Sequence, residues 1–155
     1  MAVKRYNATL RNLEYRLRKF KDYLPAMLED IIMDKEDVIV SAIANDQLYR
    51  RGINGREVKI MSYAPYTETT KKIKAKKGSR LQELHCEILE HSMKSMFVVF
   101  DSEGFYVTAN DEKTQVLIDK YGDNIFRLTD KNLTRIIRSH VRKELVKRIK
   151  QTIRG

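Results

Sequence analysis

The chain has 155 residues, 42% hydrophobic and 34% charged, and its 31 Lys and Arg against 21 Asp and Glu give a net charge of +10 and a pI near 9.7. That is one domain's worth of chain at about 100–200 residues each, and folding at this size removes roughly two-thirds of the unfolded surface from water, enough for a core without crosslinks. The single cysteine, Cys86, excludes an intrachain disulfide and fits a reducing compartment, and the longest uncharged run, Val38 to Asn45, is far shorter than the ~20 residues of a membrane-spanning helix.

Met1 to Tyr6 carries two charges and no apolar run, so no signal peptide is expected. A balance this basic suits an anionic partner as well as a lysine-rich solvated surface.

Residues 3–23 place Leu10, Leu13, Leu17, Phe20 and, just beyond, Leu24 at alternating spacings of three and four, the stripe of an amphipathic helix. Its other faces carry seven basic residues (Lys4, Arg5, Arg11, Arg16, Arg18, Lys19, Lys21) against Glu14 and Asp22, or +5. Leu24 precedes Pro25 and is biased out of the helical region, so this helix is expected to end near Tyr23. Pro25 suits the first turn of a second helix over 25–49, with Leu28, Ile31, Ile32, Val38, Ile39, Ala42 and Ile43 inward. Val38 to Ile43 is β-branched enough to pass as a strand, but the helical spacing continues on both sides. This segment sets six acidic residues against Lys35 and Arg50, or −4.

Arg51 to Gly55, containing Asn54-Gly55, reads as a turn. Arg56 to Met61 alternates charged and apolar residues and reads as a short half-buried strand. Pro65 opens a short helix through Lys77 with Gly78 as its cap. Here Lys71, Lys72, Lys74, Lys76, Lys77 and Arg80 put six positive charges into ten residues, a run too dense for a core. It is either solvated or a contact for phosphate or an acidic neighbour. Residues 82–95 are locally ambiguous between strand and helix.

Met96 to Phe100 and Phe105 to Thr108 flank Asp101-Ser102-Glu103-Gly104, a β-hairpin pattern. Phe97, Val99, Phe105 and Val107 are expected on one face, with Val98, Phe100 and Tyr106 on the other. Asp111 is expected to cap a helix over 112–120 with Val116, Leu117 and Tyr121 inward, ended by Gly122. Ile125 and Phe126 anchor the next loop. Residues 101–130 hold seven acidic against three basic residues, or −4. Thr129 caps a last helix, 130–154, with Leu133, Ile136, Ile137, His140, Val141, Leu145, Ile149 and Ile153 at helical spacing. From Lys131 onward nine basic residues, among them Arg138, Arg142, Lys143, Lys147, Arg148 and Lys150, stand against Glu144, or +8.

Nothing in this pattern carries catalysis. His85, Cys86 and His91 do not make the paired ligands of a zinc site, and adjacent His and Cys side chains diverge on helix or strand. His140 sits on an apolar stripe, and Asp101, Glu103, Asp111 and Glu112 are ordinary turn and cap residues. Gly52 and Gly55 lack the lysine and spacing of a phosphate loop, and no aromatic RNA-binding signature is present. No metal, cofactor or catalytic residue is expected.

Tyr63-Ala64-Pro65-Tyr66-Thr67, the lysine run and Gly78 together resemble a family of small tailed-bacteriophage virion proteins, the tail-completion or head–tail connector proteins of the neck. Asp46 to Gly52, Asn54-Gly55, Lys94-Ser95 and Asp101-Ser102-Glu103-Gly104-Phe105 fit the same pattern, which covers roughly residues 40–145. The chain departs from it at Leu89-Glu90-His91, where the family has Asp-Thr-Gly, so the tight glycine turn is missing. The resemblance implies a homo-oligomeric ring, six- or twelve-fold, between portal and tail. Its implied partners are copies of itself, neighbouring portal, neck or tail proteins and passing DNA, in the virion and without a membrane. The competing reading is a nucleic-acid-binding accessory protein that uses the basic first and last helices. The fold expected is a single α+β domain: a long N-terminal helical pair over 1–50, a small antiparallel sheet with the hairpin within 55–110, and C-terminal helices over 111–155.

Overall fold

The computed structural model describes residues 2–76, 95–112 and 114–154, with side chains from Leu10 onward except those of Lys74, Ile153 and Arg154. The fold is α+β: mostly helical, with a small two-stranded antiparallel sheet and a long helix at each end of the chain. By contacts it divides into two compact units, Met1–Lys35 with Ile136–Gly155, and Glu36–Arg135. No helix among the described residues is long and apolar enough to cross a membrane.

The first unit is built on α1, Ala2–Met33, which runs straight through Pro25. The break expected at Leu24-Pro25 instead falls at Asp34-Lys35, where the Lys35 amide turns back to the Ile32 carbonyl at 3.0 Å. An interior proline removes one helical hydrogen bond, a penalty of about 3 kcal/mol. The apolar stripe nevertheless keeps its phase across Pro25, through Leu24, Leu28 and Ile31, so a break there would misalign the burying face. Glu36 and Asp37 then occupy the first turn of the next helix, where acidic residues complement the helix dipole. The C-terminal helix of this unit, Arg142–Arg154, packs against α1.

In the second unit the chain is helical over Glu36–Ser41 and continues as wide π-type turns over Ala42–Arg51. The strand alternative for Val38 to Ile43 is therefore not adopted. Ile39, Ile43 and Leu48 are fully buried and, with Ile60 and Ile125, form the centre of the core. Gly52 ends the π stretch in the left-handed region, with φ of 59°.

The strand expected over Arg56 to Met61 is reduced to one bridge, Ile53 to Lys59, followed by a helical turn, Ile60–Tyr63. The cause is Asn54. Its side-chain oxygen accepts the amides of Arg56 at 2.9 Å and Val58 at 3.1 Å, which closes the segment into a turn and occupies donors a neighbouring strand would need. Gly55 is obligatory there: a Cβ would lie 2.5 Å from the Arg127 Cβ. The next helix, Glu68–Lys76, begins three residues after Pro65, capped by the Thr67 hydroxyl, which accepts the Thr70 amide at 3.3 Å.

The hairpin forms as expected, with β1, Met96–Asp101, antiparallel to β2, Gly104–Ala109. Its faces do not group as expected. The two-residue loop Ser102-Glu103 pairs Asp101 with Gly104, so even-numbered residues of β1 meet odd-numbered residues of β2. One face thus joins Met96, Val98 and Phe100 to Ala109, Val107 and Phe105, while Phe97 and Val99 meet Thr108 and Tyr106. Met96, Val98, Val107 and Ala109 are buried, and Tyr106 is exposed. The loop is closed by the Asp101 carboxylate, which accepts the Glu103 and Gly104 amides at 2.8 and 3.0 Å.

The helix after the hairpin is shorter than expected, Thr114–Tyr121. Thr114, Leu117 and Tyr121 take its inner face, which leaves Val116 outside at 56% exposure, against expectation. Gly122, with φ of 79°, stops it, and Ile125 and Phe126 are buried in a short 3₁₀ turn, as their pattern required. From Thr129 onward the chain is helical, over Asp130–Ile136, a π stretch Ile137–Val141, and Arg142–Arg154. Thr129 caps it by accepting the Asn132 amide at 3.2 Å. Of its stripe, Ile136 is buried, Leu133, His140, Val141, Leu145 and Ile149 are half-buried, and Ile137 is exposed.

Candidate functional site

The residues expected to contact a partner fall into two groups, one in each unit. In the second unit, Lys72 and Lys76 are exposed on the helix Glu68–Lys76. Lys71 is half-buried and holds Glu68 at 2.6 Å, an exposed pair of small energetic consequence. Lys74 lies on the same helix, while Lys77, Gly78 and Arg80 lie outside the described residues, as do His85, Cys86 and His91.

In the first unit, Lys143, Lys147 and Lys150 recur at spacings of four and three and stand together on one face of the C-terminal helix around Val146 and Gln151, lining a shallow depression. Arg138 and Arg142 are also exposed. Arg148 differs from all of these. It is half-buried and reaches Asp34 at 3.2 Å, Asp30 at 3.6 Å and Glu144 at 3.6 Å, so it ties the C-terminal helix to α1. On α1, Lys19 lies 4.9 Å from the Tyr15 ring centroid, and a hydrogen bond with the Tyr15 side chain holds its amine above the ordinary lysine value.

The sum of charge divides unequally. Residues 1–35 and 136–155 contain fifteen Lys and Arg against six Asp and Glu, or +9. Residues 36–135 contain sixteen against fifteen, or +1. Nearly all of the excess positive charge therefore belongs to the helical unit. The hairpin unit exposes the acidic residues Asp101, Glu103, Glu112, Asp119, Asp123 and Asp130.

Two features of the hairpin unit have no counterpart in the sequence reading. The first is a half-open groove of about 630 Å³ beside β2. Phe105, Val107, Phe126 and Leu128 give it apolar walls, and Arg56 and Asp130 stand among its polar lining. The second is a buried polar knot. The Gln47 amide donates to the Arg127 carbonyl at 2.9 Å, and its oxygen accepts the Thr129 amide at 2.8 Å and the Asn132 side chain at 3.0 Å. Asn132 also donates to Asp46 at 3.1 Å. The knot holds the segment that leads into the last helix. The signal for it was present, since Gln47 and Asn132 interrupt otherwise apolar helical faces, but their partners are eighty or more residues away in sequence.

Among the described residues no group of three or more His, Cys, Asp and Glu is placed to hold a metal ion. No protein-family model matches the chain, and no curated protein or solved structure matches it.

Proposed function

We propose that the chain is a structural virion protein of a tailed phage, forming a homo-oligomeric ring at the head–tail junction as a neck, connector or tail-completion component. The observation that carries the reading is the division of net charge, +9 on the helical unit against +1 on the hairpin unit, where exposed acids such as Asp101, Glu103, Asp119 and Asp123 offset the bases. A subunit with two differently charged surfaces suits a head-to-tail contact, and repeating such a contact about an axis closes a ring. The short motifs from Tyr63 to Thr67 and from Asp101 to Phe105 add the family resemblance. The groove beside β2 supplies an apolar socket for a neighbour's side chains.

A second reading has an observation of its own. Lys143, Lys147 and Lys150 on one helix face present a row of cations to a phosphate backbone, as a nucleic-acid-binding protein would.

One variant separates the two. Lys143→Glu, Lys147→Glu and Lys150→Glu together should abolish incorporation into the phage neck and leave the circular-dichroism melt of the protein unchanged, since all three are exposed. If the triple variant still enters particles but native mass spectrometry shows loss of DNA binding, the ring reading fails for this helix and the nucleic-acid reading replaces it.

A further inference from the structure

We infer that α1 is a self-association element, and that two copies of this chain pair through it in antiparallel orientation. Leu10, Leu13, Leu17, Phe20, Leu24, Met27 and Ile31 alternate intervals of three and four without a fault, the a and d positions of a heptad repeat, and the same phase extends back in sequence to Tyr6 and Val3. The C-terminal helix packs against α1 within the unit, yet much of this seam stays accessible.

Exposure along the seam is graded. Leu10, Leu13 and Leu17 are 59%, 40% and 49% exposed, Phe20, Leu24 and Met27 are half-buried, and Ile31 is fully buried. The described residues therefore leave the seam exposed from Leu10 to Leu17, cover it in part from Phe20 and close it at Ile31. Six seam residues from Leu10 to Met27 remain accessible over about five turns, or roughly 26 Å.

Charge selects the occupant. The basic excess of α1 lies at Arg11, Arg18 and Lys19, the b and c positions, which point away from a partner. The positions bordering the open seam are Glu14 and Lys21 on the e side, and Arg16 and Tyr23 on the g side. A border with both signs calls for a partner that also carries both signs, and a second α1 does. A uniformly acidic helix would meet Glu14 unfavourably.

Charge also selects the orientation. In a parallel pair, g of one helix meets the following e of the other, which sets Arg16 against Lys21 twice. In an antiparallel pair centred between Leu17 and Phe20, Leu17 meets Phe20, Leu13 meets Leu24 and Leu10 meets Met27, each layer twice. The same register sets Glu14 of each copy beside Lys21 of the other and Arg16 beside the Tyr23 ring. The centre of this register coincides with the centre of the open stretch from Leu10 to Met27. Glu14 holds Arg18 through Oε1 at 2.7 Å, and a carboxylate has a second oxygen with which to accept Lys21 of the second copy. The contact is two-fold, distinct from the head-to-tail contact of a ring, and stands or falls separately from the neck reading.

The test is sedimentation equilibrium of the full chain at low salt. The wild type should dimerise, and Glu14→Lys or Lys21→Glu alone should weaken the dimer about tenfold, since each converts two attractive pairs into two repulsive ones. The double variant Glu14→Lys with Lys21→Glu should restore the affinity, because the pairs are only exchanged. In a Cys86→Ser background, mixing the Leu17→Cys and Phe20→Cys variants should give oxidised dimers that neither variant gives alone. Restoration by the double variant and crosslinking only in the mixture support the proposal. A wild type that stays monomeric at 100-fold the concentration used for folding measurements, a wild type that binds an acidic amphipathic peptide instead of itself, or a Leu17→Cys variant that crosslinks alone would each overturn it.

Discussion

The two units of this molecule satisfy the hydrophobic effect to different degrees. The hairpin unit fully buries Ile39, Ile43, Leu48, Ile60 and Ile125 and carries a net charge of only +1. Among its described residues the helical unit contributes Ile31 and Ile136 to the buried apolar core and leaves Leu10, Leu13, Tyr15, Leu17 and Tyr23 exposed, and the unit carries +9. Buried apolar area sets stability, at roughly 25 cal/mol per Å², so the hairpin unit is the self-sufficient part. The helical unit leaves more of its apolar surface exposed and carries an unbalanced charge.

The comparison breaks most readily at the polar knot. Gln47→Leu keeps the shape of the side chain but strands the buried Thr129 amide and takes the donor from the part-buried Arg127 carbonyl, while Asn132 keeps its bond to Asp46. Each stranded group carries a penalty of about 1–3 kcal/mol. Urea unfolding should show a loss of about 3 kcal/mol, and a loss below ~1 kcal/mol would mean the knot is not what holds the entry to the last helix.

A smaller effect is expected in the helical unit. Arg148→Met should lower stability by less than ~1 kcal/mol, because Asp30 and Asp34 are exposed and surface pairs are weak. The difference between wild type and variant should shrink in thermal melts at 1 M salt, where the screening length falls to ~3 Å. A difference that salt does not reduce would assign the effect to packing of the arginine stem instead.

The smallest effect belongs to the lysine run. Lys72→Ser with Lys76→Ser should leave folding stability within ~0.5 kcal/mol, since both side chains are exposed and neither packs in the core. The same variant should weaken assembly with an acidic neighbour. A destabilisation of several kcal/mol would make the run part of the fold rather than part of a surface.

Local chemistry determined much of this protein from the sequence alone. The hairpin, its loop at Asp101 to Gly104, the Thr129 cap, the stop at Gly122 and the burial of Ile125 and Phe126 all follow from residues within a few positions of one another. Side-chain caps, turn residues and apolar periodicity act over that range, so they can be read without knowing what lies across the fold. The basic character of the two terminal segments was equally legible, because charge is additive along the chain.

Tertiary structure decided the rest. Pro25 has a strong local preference for a helix start, yet packing of one continuous stripe keeps it inside α1. The alternation from Arg56 to Met61 favours a strand, yet Asn54 takes its donors, and among the described residues the segment pairs only through the Ile53–Lys59 bridge. Cross-strand face sharing depended on the number of residues in the loop, which a period of two does not reveal. The Gln47 knot, the groove beside β2 and the open seam of α1 are properties of what is or is not packed against a face. Periodicity marks a stripe that favours burial, and only the fold shows which part of it the chain covers itself and which part it leaves exposed.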